Sequence, residues 1–331
     1  MLGLVKVTKM IYMPKTLTEA VRYYQDEQTC IDAVAAMRWP DGKPVCPKCG
    51  VAEGERKHYW LDSQKRWKCY SCRKQFSVKV DSVFEDSPLG LDIWLVALWM
   101  LCNCKNGVSS YEIARETGIA QKSAWHLLHR LRYGLQSKDG GKLGLGGAIV
   151  EVDESFIGGK ARNMHKAKRK AAMEYRHKGK VVVMGLLERG GKVRTTVVDD
   201  RDKATLQGNV KLHVEPGAKV MTDELLAYWG LDEEFEHRVI NHAVEYVKGE
   251  IHTNSMENYW SLVKRQLNGT YISVEPFHLF RYLDEQTFRY NNRSTKERPM
   301  TNSDRFALAL SQIAGKRLQF KELTGKVDGS F

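Results

Sequence analysis

Four cysteines and three carboxylates carry most of the chemistry that this sequence can offer. Cys46-Pro-Lys-Cys49 and Cys69-Tyr-Ser-Cys72 form two C-x2-C pairs separated by 19 residues. Zinc binds four thiolates in a tetrahedron, and two such turns present them from separate hairpins to one ion. The spacing assigns Cys46, Cys49, Cys69 and Cys72 to a structural Zn2+. A four-thiolate site is closed, so it says little about catalysis. Unrelated buried thiols or a redox C-x-x-C would share the spacing, but two pairs outside any thioredoxin-like pattern favour the metal. The remaining Cys30, Cys102 and Cys104 fall in apolar helical stretches. An odd total with paired knuckles favours a reduced compartment over disulfides.

The carboxylates are Asp153, Asp223 and Glu257. Asp153 closes a β-branched stretch, Asp223 follows a short predicted strand, and Glu257 opens a predicted helix. Lys264 lies two helical turns beyond Glu257 and so on its face. Phosphoryl transfer by two divalent cations needs carboxylates converging from strand ends and a helix, with the cations about 3.5–4 Å apart. One cation activates the attacking oxygen and the other stabilises the leaving oxygen. A nearby lysine can neutralise phosphate or grip a substrate strand. Each acid alone reads as a solvated surface group; the three together, with Lys264, favour a metal site for Mg2+ or Mn2+. Glu151, Glu154 and Glu224 are weaker candidates, because two of them should point to the other strand face or begin a helix.

The elements that must hold these groups divide at a glycine-rich segment. Residues 17–38 carry a helical stripe ended by Trp39-Pro-Asp-Gly42. Residues 45–80 alternate short strands with the cysteine turns. Pro88 to Cys104 is an apolar helix. Ser109 to Thr117, Gly118, and Gln121 to Leu135 have the cadence of a helix-turn-helix. It would offer Lys122, Ser123, His126, Arg130 and Arg132 to a DNA groove or phosphates, although an ordinary helical hairpin would look similar. Beyond the linker come strands at Ala148–Asp153, Lys180–Leu187 and Lys192–Val198, the last two joined across Arg189-Gly-Gly191. A helix (Ala204–His213), strands at Ala218–Met221 and His237–Ile240, and helices at Ser255–Leu267 and Pro276–Tyr290 complete a mixed α/β order. The expected division is an N-terminal helical segment (1–44), a zinc ribbon (45–80), a helix-turn-helix segment (88–136), a linker (137–147) and an α/β domain (148–331).

Charge points to the partner. Lys and Arg total 52 against 40 Asp and Glu, a net +12 that suits a polyanion, most often nucleic acid. Residues 160–180 hold nine Lys or Arg against Glu174 alone, among them Lys166, Lys168, Arg169 and Lys170. Such a loop either is simply solvated or tracks phosphates beside the acids. The longest apolar run, Ile93 to Cys102, is ten residues, half of what a bilayer needs, and residues 1–13 lack a secretory cleavage pattern. His237, His242 and His252 read as structural, with His252 the best catalytic candidate because it precedes the Glu257 helix. Trp260 reads as core.

The motifs Val152-Asp153-Glu-Ser-Phe-Ile-Gly158-Gly159-Lys160, Thr222-Asp223-Glu224 and His252-Thr-Asn-Ser-Met-Glu257-Asn-Tyr-Trp260-Ser-Leu-Val-Lys264-Arg resemble the DDE transposases of the ISXO2-like group, the IS1595 insertion-sequence family. Gly269-Thr-Tyr271, Phe277-His-Leu279 and Phe288-Arg-Tyr-Asn291 extend the resemblance, which covers nearly the whole chain. It implies an α/β fold, an RNase H-like catalytic domain with a mixed sheet flanked by helices, preceded by a zinc ribbon and a helix-turn-helix segment. It implies two catalytic Mg2+ or Mn2+ ions at Asp153, Asp223 and Glu257, acting on double-stranded DNA: the terminal inverted repeats of the element and its target. Handling two ends implies a homodimer or higher homo-oligomer on DNA in the cytoplasm, associated with the nucleoid. Some relatives use Asn as third ligand, and Asn254 lies one turn before Glu257; Glu257 is preferred because a carboxylate binds a hard cation better than an amide. The rival expectations are a metal-dependent nuclease without strand transfer and a zinc-ribbon DNA-binding regulator with an inert α/β half.

Overall fold

The computed structural model describes residues 12–136, 141–158, 166, 170, 180–240 and 252–325. It resolves into two units, one drawn from 1–137 and 292–331, the other from 138–291. The chain from Asn292 onward therefore groups with the N-terminal half, and the α/β unit stops at Asn291 rather than continuing to 331.

The first unit begins with α1 (Leu17–Tyr23) and α2 (Glu27–Arg38). The single helix expected over 17–38 is broken because Asp26 adopts an extended conformation and caps a new start, its carboxylate accepting from the Thr29 amide at 2.7 Å. Then come β1 (Tyr59–Leu61), β2 (Arg66–Lys68) and β3 (Gln75–Phe76), an antiparallel sheet in which Trp60 pairs with Trp67 and Trp67 with Phe76. Trp67 and Phe76 stack at 5.7 Å, and Trp39 meets both edge-on. Aromatic packing of this kind gives a sheet this small its core.

The apolar helix α3 (Leu91–Asn103) is buried along most of its length. Among the described residues no helix is long and apolar enough to cross a membrane. Next, α4 (Ser110–Thr117) opens with a capping box between Ser109 and Glu112 and ends at Gly118, whose φ of 73° favours glycine. After this turn comes α5 (Gln121–Leu135). The C-terminal return completes the unit: buried Lys316 donates to the Gly134 and Gln136 carbonyls at 2.6 and 2.7 Å, neutralising the end of α5.

In the second unit, β4 (Ile149–Ile157) is the middle strand of the order β6-β5-β4-β7-β8, with β5 Val181–Glu188, β6 Val193–Val198, β7 Lys219–Thr222 and β8 Glu236–Val239. It runs antiparallel to β5 and parallel to β7, which is parallel to β8. This order matches an RNase H-like sheet. Both faces are covered. Val150, Val152, Met184 and Leu186 pack against Leu206 and Val210 of α6 (Lys203–His213). Val183, Leu187 and Val193 pack against Met256, Trp260 and Val263 of α7 (Asn254–Arg265) and Leu279 and Leu283 of α8 (Leu279–Asn291). The period-two alternation of a strand thus sorts β4 residues into an α6 face and an α7 face.

Candidate functional site

The cysteine cluster is preformed. The Sγ atoms of Cys46 and Cys72 lie 3.8 Å apart and those of Cys49 and Cys69 3.7 Å apart, and all four fall within 4.8 Å of one another. Zinc–sulfur bonds of about 2.3 Å in a tetrahedron put sulfurs about 3.8 Å apart, so the donor set fits a structural zinc ion. The backbone aids ionisation at one ligand: the Val51 amide lowers the Cys49 thiol to about 7. Burial pushes Cys46 up to about 12, a cost that a bound cation would offset.

The acids are assembled by the sheet and α7. Asp153 was expected to close its strand, but β4 continues to Ile157, so Asp153 sits in its middle. Glu151 pairs with Met221 across the parallel β4–β7 ladder. Asp153 lies two residues further along β4, and Asp223 directly after the end of β7 is close enough for its charge to act on Asp153. Asp223 accepts from the Leu225 amide at 3.1 Å, which fixes it in a turn just beyond β7.

Glu257 lies in the first turn of α7, exposed, as are Asn254 and Lys264. The opposite face of α7 buries Met256, Tyr259, Trp260 and Val263. Trp260 is more than core packing: its indole Nε1 donates to Asp153 Oδ2 at 3.0 Å, tying the helix to β4. Gly185, opposite Asp153 on β5, makes this approach possible. A Cβ there would come within 2.3 Å of Met256 Cε and 2.7 Å of Trp260 Cζ2. A glycine within a strand often marks such a close approach.

Burial first, and then the charges of Asp223 and Glu257, push Asp153 up to about 6. Hydrogen bonds from the Glu154 amide and Trp260 pull the other way. A half-buried carboxylate held beside two more acids fits a hard divalent cation. Among the described residues, however, the four cysteines are the one group of three or more potential ligands drawn mutually within 4.8 Å.

The flanking acids separate as a strand demands. Glu154 turns to the α6 face, where it accepts from the Tyr228 hydroxyl and lies 3.9 Å from Arg201. Burial is the main cause of its rise to about 7. Glu224 is exposed. Glu151, a weaker candidate in the sequence, is completely buried on the Asp153 face. Its spacing of two from Asp153 was the available signal. His252 is half-buried with Nδ1 3.4 Å from Glu151 Oε1. His237 shares a hydrogen bond of 2.9 Å with Thr222, and burial lowers its pKa. His242 lies outside the described residues.

The DNA-contact candidates on α5 divide. Lys122 and Ser123 are exposed, with the Lys122 ammonium over the Phe320 ring. His126 is half-buried and meets the same ring edge-on. Arg130 and Arg132 are interior, 5% and 1% exposed, and so unavailable to a groove. The Arg130 guanidinium lies over Trp94 and donates to the Glu85 carbonyl at 2.5 Å. The helix period explains the correction: both arginines follow the buried face of Leu127, Leu128 and Leu131. Lys166 and Lys170 are exposed, while Lys168 and Arg169 lie outside the described residues.

Comparison with known proteins falls on the same two regions. Residues 144–291 match the ISXO2-like transposase domain, and residues 25–75 match the transposase zinc-ribbon domain. An uncharacterized transposase-like protein of Haemophilus influenzae is 38% identical over 109 residues, covering 32% of this chain and 85% of its relative. The chain belongs to the IS1595 transposase family. An uncharacterized protein in transposable element ISH50 of Halobacterium salinarum is 26% identical over 262 residues, 75% of this chain and 85% of that protein. The first of the two domain matches spans the five-stranded sheet, α7 and α8 of this transposase-family chain, and the second runs from the loop after α1 through all four cysteines to the first residue of β3.

Proposed function

We propose that this chain binds the terminal inverted repeats of its own insertion sequence and catalyses DNA strand cleavage and strand transfer. The observation that carries the reading is that Asp153 on β4 feels the charges of Asp223, just past the adjacent parallel strand β7, and of Glu257 on the helix that Trp260 ties to Asp153. Asp153, Asp223 and Glu257 would hold two Mg2+ or Mn2+ ions, with Asn254 the alternative to Glu257. Bound there, the cations supply an activated attacking oxygen and a stabilised leaving oxygen.

The chain's own groups prepare that chemistry. Trp260 holds one Asp153 oxygen and the Glu154 amide, at 2.8 Å, the other, which fixes the carboxylate plane. Lys264, exposed two turns beyond Glu257, would neutralise a phosphate of the bound strand. Lys122 and Ser123 offer the solvent-facing start of α5 to the DNA backbone, and in the α/β unit Lys166 and Lys170 are exposed cations that could meet phosphates. The thiolate cluster stabilises its ribbon through zinc and takes no part in the reaction. Two ends handled at once call for at least a homodimer on DNA.

The test uses duplexes taken from the DNA flanking the coding region. Mg2+-dependent nicking at the element boundary, and joining of pre-cleaved ends to a target, are expected. Nicking without joining would make the chain a nuclease; binding without nicking would make it a regulator.

A further inference from the structure

We infer that Glu151 and Arg189 are positioning residues for this reaction: they clamp the start of the Glu257 helix onto the strand that carries Asp153. The inference rests on the proposed strand cleavage, and its geometry draws three separate segments to one buried carboxylate.

The need for a clamp is visible in α7 itself. Its N-cap residue, Thr253, makes no side-chain capping hydrogen bond. Helix starts leave amides without intrahelical partners, and an uncapped start frays. Glu151 supplies the missing acceptor from another element. Its Oε2 accepts from the Met256 amide at 2.9 Å, one residue before Glu257. A negative charge at a helix N-terminus also meets the positive end of the helix dipole.

Glu151 is completely buried, and a buried carboxylate needs a partner. Arg189, just beyond β5, donates Nε to Glu151 Oε1 at 2.6 Å. The same guanidinium donates to the His252 carbonyl at 2.7 Å and lies 3.0 Å from His252 Nδ1, so it also grips the entry to α7. The Arg189 amide donates to the Ile149 carbonyl at 2.9 Å, which fixes the arginine to the start of β4. Strand β4, the end of β5 and the entry to α7 therefore meet at one ion pair. Glu151 and Asp153 share a strand face, so the clamp sets the height of Glu257 above Asp153, while Trp260 one turn later sets its tilt. Glu151 touches no reacting atom; it acts through Glu257.

The experiment compares wild type, Glu151→Gln, Arg189→Lys and Val210→Ala, the last a packing control on the α6 side of the sheet. Hydrogen exchange follows the Met256 and Glu257 amides, and single-turnover cleavage of flanking-end duplexes is measured against Mg2+ concentration well below each melting temperature. Glu151→Gln should speed exchange at both amides, cut cleavage about 10- to 100-fold, the scale of second-layer partners of a metal site, and leave end binding within about twofold. Arg189→Lys keeps the charge but not the forked donors, and should cut cleavage less than Glu151→Gln does. Val210→Ala should destabilise while cleaving within about twofold of wild type. Unchanged exchange in Glu151→Gln overturns the clamp whatever the activity. Unchanged cleavage in Glu151→Gln beside an active wild type, or an equal loss in Val210→Ala, also overturns it. An inactive wild type, with exchange altered as expected, strikes the proposed reaction and leaves the clamp standing.

Discussion

The two candidate metal sites of this chain are built in opposite ways. In the ribbon, four sulfurs already stand within 4.8 Å of one another, close to the tetrahedron zinc requires. In the α/β unit, Asp153 is locked by two hydrogen bonds, whereas Glu257 and Asn254 are exposed on α7. Thiols can approach while protonated; carboxylates repel at neutral pH, and that repulsion adds to burial in raising Asp153 to about 6. A closed soft site can be preassembled as part of the fold. An open hard site instead has its scaffold fixed and its ligand spacing left to the cations and substrate. The contrast is the one expected between a structural metal and the catalytic metals proposed for the acids.

The largest effect belongs to the third acid. Glu257→Gln should lower cleavage by more than about 100-fold, beyond the range of second-layer partners, with folding and end binding retained. Asn254→Ala should be mild. The reverse pattern, read in the same single-turnover assay, would make the site Asp-Asp-Asn. Replacing Asp153 or Asp223 by cysteine sharpens the test, since a thiolate accepts Mn2+ more readily than Mg2+ and rescue by Mn2+ alone marks a direct ligand.

Next comes the ribbon. Metal analysis should find about one zinc per chain, and Cys49→Ser should unfold residues 45–80 while the α/β sheet keeps its exchange protection. Protein that holds no zinc when prepared without chelator would break the comparison at its closed end.

Smaller again is the effect of the glycine that admits α7. Gly185→Ala places a Cβ against Met256, whose flexible end can move, and against the Trp260 ring, which cannot move without releasing Asp153. Destabilisation of about 1–3 kcal/mol by denaturant unfolding is expected, with a loss of cleavage exceeding the loss of folded protein. Full activity would show that the Trp260 tether does not govern the site.

What was legible in the sequence follows the same division. The C-x2-C spacing is local and maps onto the cysteine cluster, and the β-branched runs mark the strands that the sheet contains. Asp223 and Glu257 stand near the boundary of a recognisable element and Asp153 lies within a β-branched run, which is why the sequence alone singles them out as candidates. Long-range features were not. Nothing local shows that Arg130 packs on Trp94 or that Lys316 returns to α5; the break at Asp26, by contrast, is a local cap that the helical stripe obscures. Glu151 was half legible: its spacing from Asp153 gives the face, but its partners Arg189 and Met256 lie 38 and 105 residues away.

The smallest effect is thermodynamic and tests the open site without any reaction. Burial and neighbouring acids raise Asp153 to about 6 and Glu154 to about 7. Unfolded, both would titrate near 4, so between about pH 4 and pH 7 the folded unit holds protons that the unfolded chain has lost. Stability is therefore greatest below that window and falls as pH rises through 6 and 7. Asp153→Asn removes one of these charges. In Mg2+-free buffer the variant should match wild type near pH 4 and exceed it at pH 8, as read by denaturant unfolding of the α/β unit. Adding Mg2+ at pH 8 should stabilise wild type by mass action and leave the variant behind, because a cation offsets the very repulsion that the substitution relieves. A variant no more stable at pH 8, or equal stabilisation of both proteins by Mg2+, would mean that Asp153 is not held against like charge for a cation.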